Sequence, residues 1–308
     1  MQVTSREELG YLPNADRTIN VDFFPYADFA WMIYQYQRRN VVYCIAAKID
    51  KMGRRMGDLI ELDTTHLGFA SDNRLYAVTG SEDRKKIAVV KVNSRDRDLY
   101  HMTSFVFNDK MELLRSAQAN IVMEDRTTQL GEMVIDNEGT LVFTRFHRTF
   151  NDNISKASLL YQRLGEDGLM EYPLYFEGSW LDDIRLKVDN VTKRYILSSF
   201  YTKERRGVIE GYYFLVFDKN AAKAAIERTV IFLDDLRQEA KGNATSKSAF
   251  NDYFIEEYCA VDADRLIGVA VMPDMGAEEN VAEMKRCKEK GFKAVRAEDG
   301  IPNWLNMN

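Results

Sequence analysis

Val188-Asp189-Asn190-Val191-Thr192-Lys193-Arg194-Tyr195-Ile196 decides the fold: an apolar strand end, an Asp-Asn turn, then a β-branched and aromatic run continuing to Tyr201. Asp and Asn suit such a turn because their side chains cap neighbouring backbone groups and tolerate the tight geometry. The same unit recurs as Ile135-Asp136-Asn137-Glu138-Gly139-Thr140-Leu141 and as Ser71-Asp72-Asn73-Arg74-Leu75-Tyr76. From Asp72 to Asp136 to Asp189 the steps are 64 and 53 residues, somewhat longer than the roughly 40 to 50 of a propeller blade. A second echo sets Phe105-Val106-Phe107-Asn108-Asp109-Lys110 against Leu215-Val216-Phe217-Asp218-Lys219-Asn220, two units apart.

Working outward, short β-branched and aromatic runs separated by turn residues fill the chain from Phe23 to Phe232, the pattern of strands rather than helices. The clear runs are 41–47, 74–79, 87–92, 101–107, 141–146, 158–162, 194–201 and 211–217. With 3 Trp, 16 Tyr and 17 Phe, these strands carry side chains that pack between sheets. The expected fold is mainly β: antiparallel sheets in a propeller-like array of four to five blades, open or incomplete. Another multi-sheet meander of hairpins would show the same turns.

Leu233 to Lys241 reads as a helix, with Asp234 and Asp235 at its start and Gly242 at its stop. Asn243 to Ser248 is a small polar loop and the best linker. The division expected is a β-rich domain over residues 1–250 and an α/β tail over 251–308. In the tail, 250–259 and 277–290 read as helices and 265–272 and 292–296 as strands. Strand, helix, strand in that order is a βαβ unit with parallel strands.

The 308 residues carry a net charge of -6, against a non-specific nucleic-acid binder, which needs a basic face. The pairs Arg38-Arg39, Arg54-Arg55, Lys85-Lys86 and Arg205-Arg206 fall at turns and read as solvated. No apolar run approaches a membrane span and the start has no apolar signal region, so a soluble chain is expected. Cys44, Cys259 and Cys287 show no C-x-x-C spacing.

Two stretches resemble known families. Phe24-Pro25, Trp31-Met32-Ile33-Tyr34-Gln35-Tyr36, Tyr76-Ala77-Val78-Thr79-Gly80-Ser81-Glu82-Asp83, Val188-Asp189-Asn190 and Ala249-Phe250-Asn251-Asp252-Tyr253-Phe254 resemble an uncharacterised β-rich family of Bacteroidota, spanning about residues 20–250. That resemblance implies a propeller-like fold and points to no particular activity. Residues 251–297, through Asn251-Asp252-Tyr253, Glu257-Tyr258-Cys259, Asp262-Ala263-Asp264-Arg265-Leu266-Ile267-Gly268-Val269-Ala270, Met272-Pro273, Glu283-Met284-Lys285-Arg286-Cys287 and Gly291-Phe292-Lys293-Ala294-Val295-Arg296, resemble one βαβ segment of the metal-dependent amidohydrolase family. There the metal is held by a His-x-His pair, later histidines and an aspartate at strand ends. This chain has only His66, His101 and His147, none two residues from another. The resemblance therefore implies a fragment or fusion lacking the metal site, joined near Asn251.

No G-x-S-x-G, G-x-G-x-x-G or P-loop string occurs. The acidic pairs Asp182-Asp183, Asp234-Asp235 and Glu256-Glu257 are poor glycosidase pairs, because adjacent strand residues point to opposite faces and the other two pairs fall on helical segments. The expectation is a non-catalytic binding or scaffold protein with no catalytic residues, no metal, no cofactor and no nucleic-acid partner. Trp31, Trp180 and Tyr201 are the aromatics expected to contact a protein or small ligand.

Overall fold

The computed structural model describes residues 17–67, 75–96, 98–149, 152–176, 178–232, 251–261, 266–272 and 277–296. The chain divides into two units, Met1–Thr229 and Val230–Asn308. The first holds four consecutive sheets. Sheet 1 is β1 (Arg17–Pro25), β2 (Phe29–Arg38), β3 (Val41–Asp50) and β4 (Ile60–His66). Sheet 2 is β5 (Tyr76–Gly80), β6 (Lys86–Asp96), β7 (Leu99–Asn108) and β8 (Leu113–Val122). Sheet 3 holds β9 (Thr128–Leu130), β10 (Val134–Ile135), β11 (Leu141–His147), β12 (Lys156–Gln162) and β13 (Met170–Pro173). Sheet 4 holds β14 (Trp180–Leu181), β15 (Arg185–Asp189), β16 (Arg194–Thr202), β17 (Ile209–Asp218) and β18 (Lys223–Ile231), where the first unit gives way to the second.

The eight expected runs all lie in these strands, to within a few residues. They are most apolar where a sheet is packed between two others, as sheets 2 and 3 are. In β6, Ile87 and Val89 pack with sheet 1 while Ala88 and Val90 pack with sheet 3. In β11, Leu141 and Phe143 face sheet 2 while Val142 faces sheet 4. This is the two-residue alternation of a strand, applied to a stack of sheets, and the fold is mainly β and propeller-like. Among the described residues, no core cluster joins sheet 4 to sheet 1.

The first hairpin turn of each sheet lies at the same end of the stack, and hydrogen bonds join the four in series. Arg84 Nη1 donates to the Pro25 carbonyl at 3.0 Å, and Asp83 N donates to Asn137 Oδ1 at 3.0 Å. Asn137 N donates to Asn190 Oδ1 at 2.8 Å, and Asn190 Nδ2 to Glu82 Oε2 at 2.8 Å. The turns start at Tyr26, Ser81, Asp136 and Asn190, steps of 55, 55 and 54 residues. The repeat is therefore more regular than the Asp-Asn spacing suggests. In sheet 2 the repeating turn is Ser81–Lys86, with Arg84 at φ 59° in the left-handed region; Ser71–Asn73 lies outside the described residues.

Asp136 is the centre of this end. Its Oδ1 accepts the Glu138 and Thr140 amides at 2.9 and 2.8 Å, and its Oδ2 accepts Tyr195 OH at 2.9 Å and Lys219 Nζ at 2.5 Å. Both ends of the Lys219–Asp136 pair are buried. Lys219 also bonds Glu138 at 2.7 Å. Hydrogen bonds from Lys193 and then Lys219 hold the Glu138 carboxyl down at about 2.

In the second unit, β19 (Val269–Val271) pairs in parallel with β20 (Ala294–Arg296), and helix α1 (Ala277–Glu289) connects them. The expected βαβ order holds, with shorter strands than the sequence suggests. Asn251 is fully buried, and its side chain acts as a third strand for β19, accepting Val271 N at 2.8 Å and donating to Val271 O at 3.0 Å. The expected helix over 233–241 and linker over 243–248 lie outside the described residues.

Lys219→Ala should destabilise the first unit by about 3–5 kcal/mol, because it strands a buried carboxylate. Asp136→Asn combined with Lys219→Met should recover much of that loss, as followed by urea unfolding. In acid the sign follows from the lowered Glu138 pKa. Its contribution is complete above the ordinary value of 4.5 and is lost as pH falls through about 2. Melting curves measured across that range should fall less steeply for Glu138→Gln than for the parent; parallel curves would exclude the role.

Candidate functional site

In sheets 3 and 4 the innermost strand is broken in two. β9 and β10 both lie along the same edge of β11, separated by Gly131–Met133, and β14 and β15 both lie along β16, separated by Asp182–Ile184. Gly131 N donates to Thr144 O at 2.8 Å. The approach is so close that a Cβ at Gly131 would sit 2.2 Å from Thr144 Oγ1. The break in sheet 4 turns Asp182 and Asp183 outward, and both are exposed. Ile154 and Leu181 exchange backbone hydrogen bonds at 2.6 and 2.9 Å, fastening the loop after β11 to β14.

These features enclose a cleft of about 670 Å³ at the end of β11 away from the Asp136 turn, lined by Gln129, Arg148, Asp152, Asn153, Asp182, Asp183, Arg206 and Gly207. Among the described residues, every lining side chain is polar or charged apart from glycine. Arg148 donates to the Asp182 carbonyl, lies 3.7 Å from Asp183 Oδ1 and has its carbon-nitrogen centre 5.5 Å from the Phe146 ring centroid. Its Nε is buried without a hydrogen-bond partner. Gln129 Nε2 donates to Arg148 O at 3.2 Å.

Asp152 is the buried acid of the cleft. It accepts Arg205, stands 3.6 Å from Arg206 Nε and takes the Asn153 amide at 2.9 Å. The Arg205 hydrogen bond, with help from the Asn153 amide and the arginine charges, holds its carboxyl below the ordinary value against the opposing effect of burial. A carboxyl held low stays ionised at neutral pH and is a poor proton donor there. Beside the cleft, His147 Nδ1 is 3.3 Å from Thr128 Oγ1, and its Nε2 lies 3.7 Å from Glu124. Among the described residues, no three His, Cys, Asp or Glu side chains stand close enough to hold a metal ion. No helix among them is long and apolar enough to cross a membrane.

The structure places the three expected contact aromatics elsewhere. Trp31 is 5% exposed in the seam of sheets 1 and 2, donating to Asp109 O at 2.9 Å. Tyr201 is 3% exposed in the seam of sheets 3 and 4. Both sit on the strand face that packs against the neighbouring sheet, which removes them from a ligand's reach. Trp180 is half-buried on β14 and does not line the cleft. Asp182 and Asp183 stand in a strand break, where alternation between faces does not apply. Arg205-Arg206 does fall at a turn, but it is anchored on a buried acid rather than merely solvated. Those two dipeptides were the only signal of the cleft in the sequence; nothing local marked Arg148, Asp152 or Gln129.

No protein-family model matches the chain, and no curated protein matches it. Solved structures similar in fold include a cobalt-substituted Synechocystis apocarotenoid oxygenase (9% identity, 64% of this chain and 46% of that one, TM-score 0.35). A polysaccharide lyase family 25 ulvan lyase is similar at 10% identity over 70% of this chain and 56% of that one, TM-score 0.35. Prolyl oligopeptidase B from Galerina marginata is similar at 12% identity over 72% and 31%, TM-score 0.39. The chain spans between about a third and somewhat over half of these proteins. At this level the likeness carries no statement about activity.

Gly131→Ala should destabilise the first unit by about 1–3 kcal/mol, because the new methyl meets a buried side chain. Adding Thr144→Ala removes the oxygen it strikes. The double variant should then be more stable than the two single losses predict; strict additivity in denaturant titrations would show that the close approach is not what matters.

Proposed function

We propose that this protein is a non-catalytic binding module, with the sheet stack as a rigid frame and the cleft of sheets 3 and 4 as the seat for a small polar ligand. The observation that carries the reading is the cleft itself. Broken inner strands and two loops converge there to expose acceptors and donors side by side, beside a seam of sheets 3 and 4 that is packed with apolar side chains. Loops held by a rigid scaffold are where binding surfaces concentrate. The one deeply buried acid is already committed to arginines, which favours recognition over proton transfer.

Amide chemical shifts recorded against a panel of polyols, sugar acids and short polar peptides test this. At least one compound should move Gln129, Arg148 and Asn153, and Asn153→Trp, which puts a bulky ring into the cleft, should weaken it tenfold or more. A panel that moves nothing, or moves only residues far from the cleft, would remove the proposal.

The parallel pairing of β19 with β20 favours a second reading for the tail: residues 251–297 as one βαβ unit related to the metal-dependent amidohydrolases, carried here without the metal ligands. On that reading purified protein holds no stoichiometric zinc and chelators leave its melting curve unchanged. Zinc at one equivalent, with loss of stability on chelation, would contradict it.

A further inference from the structure

Asp152 has its side chain 2% exposed, yet two arginines converge on it whose side chains are 54% (Arg205) and 63% (Arg206) exposed. Arg205 takes one carboxylate oxygen, while Arg206 turns its Nε edge toward the other at 3.6 Å. One carboxylate cannot saturate two guanidinium groups, so Arg206, the more loosely held of the two, keeps hydrogen-bonding capacity on its outward side. The backbone holds the arrangement in place: Arg206 N donates to Asn153 Oδ1 at 2.8 Å, and Asn153 N donates to Asp152 Oδ1 at 2.9 Å. The facing lip is balanced differently. There Asp183 stands between Arg185 at 3.0 Å and Arg148 at 3.7 Å, and Asp182 is exposed.

We infer that the cleft takes a ligand bearing a carboxylate, gripped by the outward edge of Arg206 and held for that purpose by the buried Asp152. This inference rests on the cleft being the binding seat, as proposed above. With the Nε edge of Arg206 turned to Asp152, the paired terminal nitrogens remain, and that planar fork matches a carboxylate's two oxygens. Asp182, Asn153 and Gln129 offer hydrogen bonds to a polar remainder. Asp152 is thus a positioning residue, acting through arginines as an outer carboxylate orients an inner ligand group.

The test compares gluconate with sorbitol, which differ by a carboxylate in place of a hydroxymethyl group, on the full-length protein by amide chemical shifts. Gluconate should bind at least tenfold more tightly than sorbitol. Arg206→Gln should remove most of that preference, and Arg206→Lys, which keeps the charge but loses the fork, should restore only part of it. Asp152→Asn separates positioning from charge. It removes a negative charge, so a purely Coulombic site would bind gluconate more tightly, whereas a site that needs its arginines held in place should bind it several-fold more weakly. Spectra unchanged away from the cleft confirm that each variant is folded. Equal binding of the two compounds, or tighter gluconate binding in Asp152→Asn, overturns this inference while leaving the cleft as a seat. If neither compound moves the cleft signals, this inference is overturned as well, and the seat itself is refuted only when the wider panel also moves nothing there.

Discussion

A strand whose successive side chains are all apolar has no face to give to water, and that constraint organises the first unit. Val42, Cys44 and Ala46 of β3 face sheet 2 while Ile45 and Ala47 belong to the opposite face. β6 and β11 do the same between their neighbours. At roughly 25 cal/mol per Å² of apolar surface, leaving either face open would forfeit much of what folding gains. Such sheets must therefore stack, each covered by the next.

Apolar burial alone does not set how one sheet slides on another; the buried polar bonds crossing the seams do that. Gln35 Nε2 donates to Tyr76 O at 2.8 Å and Gln35 Oε1 accepts from Tyr76 N at 3.2 Å, so its amide stands in for a strand between sheets 1 and 2. Ser104 Oγ donates to Gln162 Oε1 at 2.7 Å across sheets 2 and 3, and Tyr195 OH reaches Asp136 across sheets 3 and 4. Each of these groups is costly to bury unpaired, so a shifted stack would strand all of them together.

The two ends of the stack use charge in opposite ways. At the Asp136 end, a buried acid and a buried lysine are matched and closed off by turn-to-turn hydrogen bonds. At the cleft end the charges lie on loops and strand breaks, with arginines outnumbering the acid that holds them. Stability is concentrated at the first end and available chemistry at the second, a division that follows from where the inner strands are continuous and where they break.

Much of this was legible in the sequence, for a local reason. Strand runs such as 141–146 and 194–201, the Asp and Asn turns at 136–137 and 189–190, and the βαβ order of the tail depend on backbone preferences and on burial repeating every two residues or every turn, and both are written in neighbouring side chains. The phase of the repeat was less legible, because Ser81-Glu82-Asp83 performs in sheet 2 the task that Asp136-Asn137-Glu138 performs in sheet 3, with different residues. The fate of Trp31 and Tyr201 was not legible at all, since an aromatic on a strand reads the same whether the next sheet covers it or solvent does. The cleft was decided by tertiary structure alone: Gln129, Arg148 with Asp152, Asp182 and Arg206 come from four separate segments, and only the stacking of sheet 4 on sheet 3 brings them within reach of one another.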